Sequence, residues 1–182
     1  MMDPIFNPEL VQTTVATLLN MRGHADLDQS VECCGLLGGQ RVGRRVWVVQ
    51  VEPTINTLRS AVRFEADPAD MFRVLRLFRE KGLQWVGTYH SHPHAAPKPS
   101  KIDIERRQGG GMIDLILGRA PILKADFGQS EPGDNKSPTA PAERKWFLQA
   151  WDLSGDEPRL LKVNCDGWAD PVESVDLSLY SV

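Results

Sequence analysis

The chain has no Cys-x-x-Cys pair. It has only three cysteines, Cys33 and Cys34 side by side and Cys165 far away. That leaves no framework of paired spacings, argues against a zinc knuckle and a thioredoxin-like redox pair, and favours the thiols as small core hydrophobes in a reducing compartment. Long apolar runs are missing too, since none approaches the roughly 18 residues of a membrane span. The opening Met1-Met2-Asp3-Pro4 lacks the basic-then-apolar pattern of a secretory leader. Nor is there an excess of positive charge: 21 basic residues stand against 24 acidic ones, for a net charge of -3. A nucleic-acid partner needs a clustered basic face, so that class is set aside. Gly35, Gly38 and Gly39 lack the Gly-Lys-Ser/Thr ending of a phosphate loop, and no dinucleotide fingerprint follows them. These absences lead to the expectation of a cytoplasmic protein that uses neither membrane nor nucleic acid.

The 182 residues, 41% apolar and 25% charged, suit one globular domain. Asn7-Pro8-Glu9 looks like a helix start, with Val11, Val15, Leu18 and Leu19 at helical spacing and Gly23 as the stop. Val31 to Leu37 predicts a buried strand, Gly38-Gly39-Gln40 a turn, and Val46 to Val51 a second strand paired to the first as a hairpin. Asp67-Pro68 caps a helix whose stripe is Met71, Phe72, Leu75 and Phe78, closed by Gly82. Further strands are expected at Leu83 to His92, Met112 to Leu117, Lys145 to Trp151 and Arg159 to Val163. A short helix should run from Ser100 to about Gln108. Residues 119–144 have the Pro, Gly, Ser and Asp content of a long loop, and the chain from about Asp166 to 182 reads as a tail. The expectation is therefore an α/β fold with a core of about 8–165: one mixed, curved β-sheet flanked by helices.

Chemistry concentrates in Tyr89-His90-Ser91-His92-Pro93 and Pro99-Ser100-Lys101-Ile102-Asp103. On a strand, residues i and i+2 share a face, so His90 and His92 project side by side. Asp103, in the first turn of the next helix, can add an oxygen. Two nitrogens and one oxygen leave the fourth tetrahedral position to water, the arrangement of a catalytic zinc site. Each half has a plainer reading. Paired histidines on a strand often do nothing, and Ser100-x-x-Asp103 is a helix-capping pattern that needs no metal. The whole pattern, His-x-His-x(7)-Ser-x-x-Asp, arises by chance in roughly 3 of 10,000 chains of this composition.

His90-Ser91-His92-Pro93, followed at that spacing by Ser100 and Asp103, resembles the JAMM motif of the MPN-domain (Mov34/JAB) metalloproteases, and is most similar to the short prokaryotic members. Glu32-Cys33-Cys34-Gly35 matches the Glu-x-x-Gly of the family's early strand. Arg63-Phe64-Glu65-Ala66-Asp67-Pro68 and Gly87-Thr88-Tyr89 agree as well. The resemblance implies a single MPN-like domain with one zinc ion per chain, held by His90, His92 and Asp103. It implies Glu32 as proton shuttle and Ser100 as a hydrogen-bond donor to the developing oxyanion. The implied activity is that of a zinc metallopeptidase or isopeptidase cutting after the C-terminal Gly-Gly of ubiquitin-like or sulfur-carrier proteins. A homodimer is left open.

Glu32 read by itself is a strand-edge carboxylate facing solvent, and Ser100 a helix cap. Ser91 steadies a turn, His94 faces solvent, and His24 is a surface residue after a helix stop. Two other functions compete with the peptidase: a non-catalytic MPN scaffold, which the complete ligand set disfavours, and a zinc hydrolase of small amides. Residues 56–64 and the loop 119–144 are the segments expected to order over an extended substrate tail.

Overall fold

The computed structural model describes residues 6–106, 111–121 and 144–180. Eight strands form one mixed sheet: β1 (Leu10–Thr13), β2 (Cys34–Val42), β3 (Arg45–Thr54), β4 (Gln84–His92), β5 (Ile113–Pro121), β6 (Arg144–Asp152), β7 (Arg159–Cys165) and β8 (Val175–Asp176). Three helices accompany it: α1 (Val15–Leu27), α2 (Pro68–Glu80) and α3 (Lys101–Glu105). The sheet order is β5-β4-β2-β3-β1-β7-β6-β8, and β5 also pairs with β6, so the sheet curls until it closes. The contacts of β1 with β3 and β7 and of β4 with β5 are parallel, and the others are antiparallel. The expected mixed, curved α/β sheet is the architecture observed.

The first helix begins later than its apolar spacing suggests. Leu10 to Thr13 is strand, because β3 and β7 flank it and satisfy its backbone on both sides, which overrides a local helix signal. Thr14 is the cap instead, its hydroxyl accepting from the Thr17 N–H at 3.2 Å. Gly23 does not stop α1, which runs four residues further. An exposed helical glycine costs only about 1 kcal/mol, and the buried face of Leu18, Met21 and Ala25 outweighs it.

Gly38 and Gly39, expected in a turn, lie inside β2 at a register shift. A β-carbon on Gly38 would strike the Phe78 ring, and one on Gly39 the Trp47 backbone, so both positions admit close approach rather than reversal. The β2–β3 hairpin itself forms as expected, turning at Gly43-Arg44.

α2 matches its signals: Asp67 caps it through the Asp70 N–H and proline occupies the first turn. Its apolar face is Met71, Val74, Leu75 and Phe78, at i, i+3, i+4 and i+7. Phe72 lies one step off that stripe and is 76% exposed, contrary to expectation. The main core joins α1 to Leu37, Tyr89, Leu115, Leu148 and Val163, while Leu36, Val74 and Phe78 form a smaller cluster under α2. All three cysteines are free and buried, as expected.

The segment after Asp166 is not a free tail. β8 pairs with β6, Val175 and Leu177 are buried, and Arg22 of α1 donates to the carbonyls of Leu177 and Tyr180. The expected loop is strand at both ends, as parts of β5 and β6. Its residues 122–143, and the expected helix end near Gln108, lie outside the described residues.

Candidate active site

β4 puts Thr88, His90 and His92 on one face and Tyr89 and Ser91 on the other. The Nε2 atoms of His90 and His92 are 3.1 Å apart. α3 then brings Asp103 across them, with Oδ1 3.5 Å from His90 Nε2 and Oδ2 3.5 Å from His92 Nε2. Ligands held 2.0–2.1 Å from a tetrahedral ion are about 3.3 Å from each other. The two histidine nitrogens stand near such an edge length, each faces a different oxygen of Asp103, and one ligand atom from each of the three residues lies within 4.8 Å of the others.

Each donor is oriented from behind. His92 Nδ1 is 3.1 Å from the Ala96 carbonyl, to which it donates, leaving the Nε2 lone pair free for an ion. Phe64 stacks on the His90 ring with centroids 4.6 Å apart. Among the described residues His90 Nδ1 is buried without a hydrogen-bond partner. Asp103 is fixed by a capping box: the Ser100 N–H donates to Oδ2 at 2.6 Å, and the Ser100 hydroxyl accepts from the Asp103 N–H at 3.3 Å. The capping arrangement and the donor cluster therefore coexist on the same residues.

Glu32 lies two residues before β2, not on a strand edge, and is only 3% exposed. Its N–H donates to the Ser60 carbonyl, its own carbonyl accepts from Asn56 Nδ2, and its Oε1 stands 3.9 Å from His92 Nε2. Ser91 anchors the next residue, its hydroxyl accepting from the Cys33 N–H at 2.9 Å.

Burial sets the proton affinities. It pushes Glu32 up to about 7, against the pull of the His92 charge. It also lowers His90 and favours the neutral ring. For His92 burial acts downward but is outweighed by hydrogen bonds to Asp103 and Ala96, which leave it raised. Asp103 is desolvated too, yet hydrogen bonds from both histidines hold it well below the usual carboxylate range.

A family model described as prokaryotic homologs of the JAB domain matches residues 14–127. The chain belongs to that family. This JAB-domain chain is 36% identical over 96 residues to a desampylase of Pyrococcus furiosus, covering 53% of this chain and 66% of the relative. It is 35% identical over 100 residues to a desampylase of Haloferax volcanii, covering 54% and 70%. Human deubiquitinase MYSM1 is 35% identical over 100 residues, which is 54% of this chain but 12% of that protein. A solution structure of a Desulfitobacterium hafniense protein superposes with a TM-score of 0.62 at 26% identity, covering 86% of this chain and 92% of the other.

Of the remaining sequence expectations, His94 is exposed as anticipated. His24 is not a surface residue after a helix stop. It lies within α1, and its Nδ1 is 2.9 Å from the Tyr89 hydroxyl, against which its ring packs edge-on. Asn56, Ser60, Phe64 and Asp114 were not anticipated individually. Asp114 had a visible signal, as the one acid in the apolar run Met112 to Leu117. The first three sit in a polar segment whose fold depends on long-range contacts with Glu32 and His90. Among the described residues no helix is long and apolar enough to cross a membrane.

Proposed function

We propose that this chain is a zinc-dependent isopeptidase or peptidase that hydrolyses the bond after the C-terminal Gly-Gly of a ubiquitin-like or sulfur-carrier protein in the cytoplasm. The observation that carries the reading is the convergence of His90, His92 and Asp103, whose ligand atoms lie within 4.8 Å of one another, with a buried Glu32 outside that group beside them. The names of its relatives, desampylase and deubiquitinase, supply the substrate class.

His90 Nε2, His92 Nε2 and one oxygen of Asp103 would hold a single zinc ion per chain. When bound, zinc supplies Lewis acidity toward a carbonyl and makes water a better nucleophile at neutral pH. The chain's own groups move the protons. Glu32, with its affinity raised to about 7, takes a proton from water at its carboxylate and passes it to the departing amine nitrogen. The backbone bonds of Glu32 to Ser60 and Asn56 hold it for both transfers. Ser100, at the start of α3, offers its hydroxyl to the developing oxyanion. Hydrolysis then balances as hydroxyl to the glycine carbonyl carbon and a proton to the amine.

The test is cleavage of the host's own Gly-Gly-ended carrier or ubiquitin-like proteins bearing C-terminal extensions, by zinc-loaded protein. Cleavage after the second glycine, lost on chelation and in Glu32→Gln, is expected. A protein that carries one zinc per chain yet cleaves none of these fusions would overturn the reading.

A further inference from the structure

Next to the donor cluster is a cavity of about 220 Å3 that the chemistry above leaves unused. It opens between the Phe64-Glu65-Ala66 segment and α3, where a hydrogen bond from Arg106 to the Phe64 carbonyl marks the rim. Its walls are apolar, formed by Leu36, Phe64, Met71 and Ile102. The strands form its floor, where Thr88 of β4 and Asp114 of β5 are register partners. Asp114 is 8% exposed. One of its oxygens accepts from the Thr88 hydroxyl at 2.5 Å, and among the described residues no hydrogen bond reaches the other.

A buried carboxyl with an unused oxygen at the end of an apolar channel is costly unless a partner arrives. Three carboxylates, Glu65, Asp103 and Asp114, line this cavity, with Glu65 exposed, and the basic residues along it among those described are His90 of the donor cluster and Arg106 at the rim. Asp103 is committed to the donor cluster and Glu65 is exposed to solvent, so Asp114 is the buried carboxyl left to meet a ligand. The volume falls below the roughly 300 Å3 at which pockets for whole small molecules begin, and suits one long side chain. Methylenes against Leu36, Met71 and Ile102 with a cationic tip at the floor is the chemistry of lysine or arginine.

We propose that this cavity is a specificity pocket for a basic side chain of the protein substrate, with Asp114 as the specificity-determining residue. The proposal rests on the peptidase reading. In that reading glycines occupy the two positions before the scissile bond, so the side chain comes from the residue after the bond or from the residue preceding Gly-Gly.

Two series of zinc-loaded cleavage assays separate these sources: Lys, Met or Glu placed directly after Gly-Gly, and the same three placed directly before it. In one series, kcat/KM for Lys should exceed that for Met by at least about tenfold, with Glu lowest. In Asp114→Asn the Lys-to-Met ratio should fall to near one. Equal rates across both series, or a Lys preference that survives Asp114→Asn, would overturn the proposal. A binding arm keeps the two readings apart, using calorimetry of Gly-Gly-Lys and Gly-Gly-Met peptides, and of Lys-Gly-Gly and Met-Gly-Gly, on Glu32→Gln protein. If no fusion is cut but a lysine peptide binds at least about fivefold tighter in an Asp114-dependent way, the pocket stands and the hydrolase reading falls. If no lysine peptide is preferred either, the pocket falls too.

Discussion

The two faces of β4 are equally buried and chemically unlike. On one, Tyr89 and Ser91 have their hydroxyls tied to partners outside the site, His24 of α1 and the Cys33 backbone. On the other, His90 and His92 turn their Nε2 atoms toward each other and toward Asp103. The first face spends its polar groups on fixing where β4 and the Glu32 segment sit. The second keeps its donors pointed at a common centre. An extra residue at Val86, where β4 shifts register against β2, lets Trp85 share the α2-facing side with Thr88 and His90. The position of the histidine face is thus fixed by hydrogen bonds on the opposite one.

The hardest break of this contrast is on the histidine face. His92→Ala should lower bound zinc from about one per chain to near zero by metal analysis, while far-UV circular dichroism stays unchanged. Glu32→Gln comes next. It should keep its zinc and its fold but lose at least about 100-fold in kcat, the lower range for removing a general base. A near-normal kcat in this variant would move the proton shuttle to another residue.

The anchoring face predicts smaller, energetic effects. Ser91→Ala strands the buried Cys33 N–H and should cost about 1–3 kcal/mol in urea unfolding. Because that N–H adjoins Glu32, kcat should fall further than zinc affinity does. Tested at the register partner of Thr88, Asp114→Asn should have the opposite sign. Burial pushes Asp114 up to about 7 from an ordinary value of 3.8. The folded protein therefore holds more protons than the unfolded chain between those values, and stability declines as pH rises through that window. The asparagine variant lacks this penalty, so it should gain about 1–2 kcal/mol at pH 8 and nothing near pH 3. Smallest of all, Tyr89→Phe removes one hydroxyl bond to His24 and should cost about 1 kcal/mol.

What could be read from the sequence follows the same division. The grouping of His90, His92 and Asp103 was legible because strand alternation and a helix start are local geometry. α2 was legible because Asp67-Pro68 and the i, i+3, i+4 pattern are local as well. β1 was not, since its strand form comes from β3 and β7, which lie more than thirty and nearly one hundred and fifty residues on. Nor was the interior position of Glu32, which depends on Ser60 and Asn56 folding back over it. Gly38 and Gly39 carried the composition of a turn but serve to admit the Phe78 ring and the β3 backbone, and only packing distinguishes the two uses.

Asp103 Oδ2 has two occupations. It accepts the Ser100 amide that starts α3, and it faces His92 as a candidate metal donor. A five-residue helix is far too short to persist through its own hydrogen bonds, so its order leans on that cap. The two demands draw on the same lone-pair density, which makes α3 a built-in gauge of ligation. Amide exchange at Ser100 should report the state of the centre before any substrate is added.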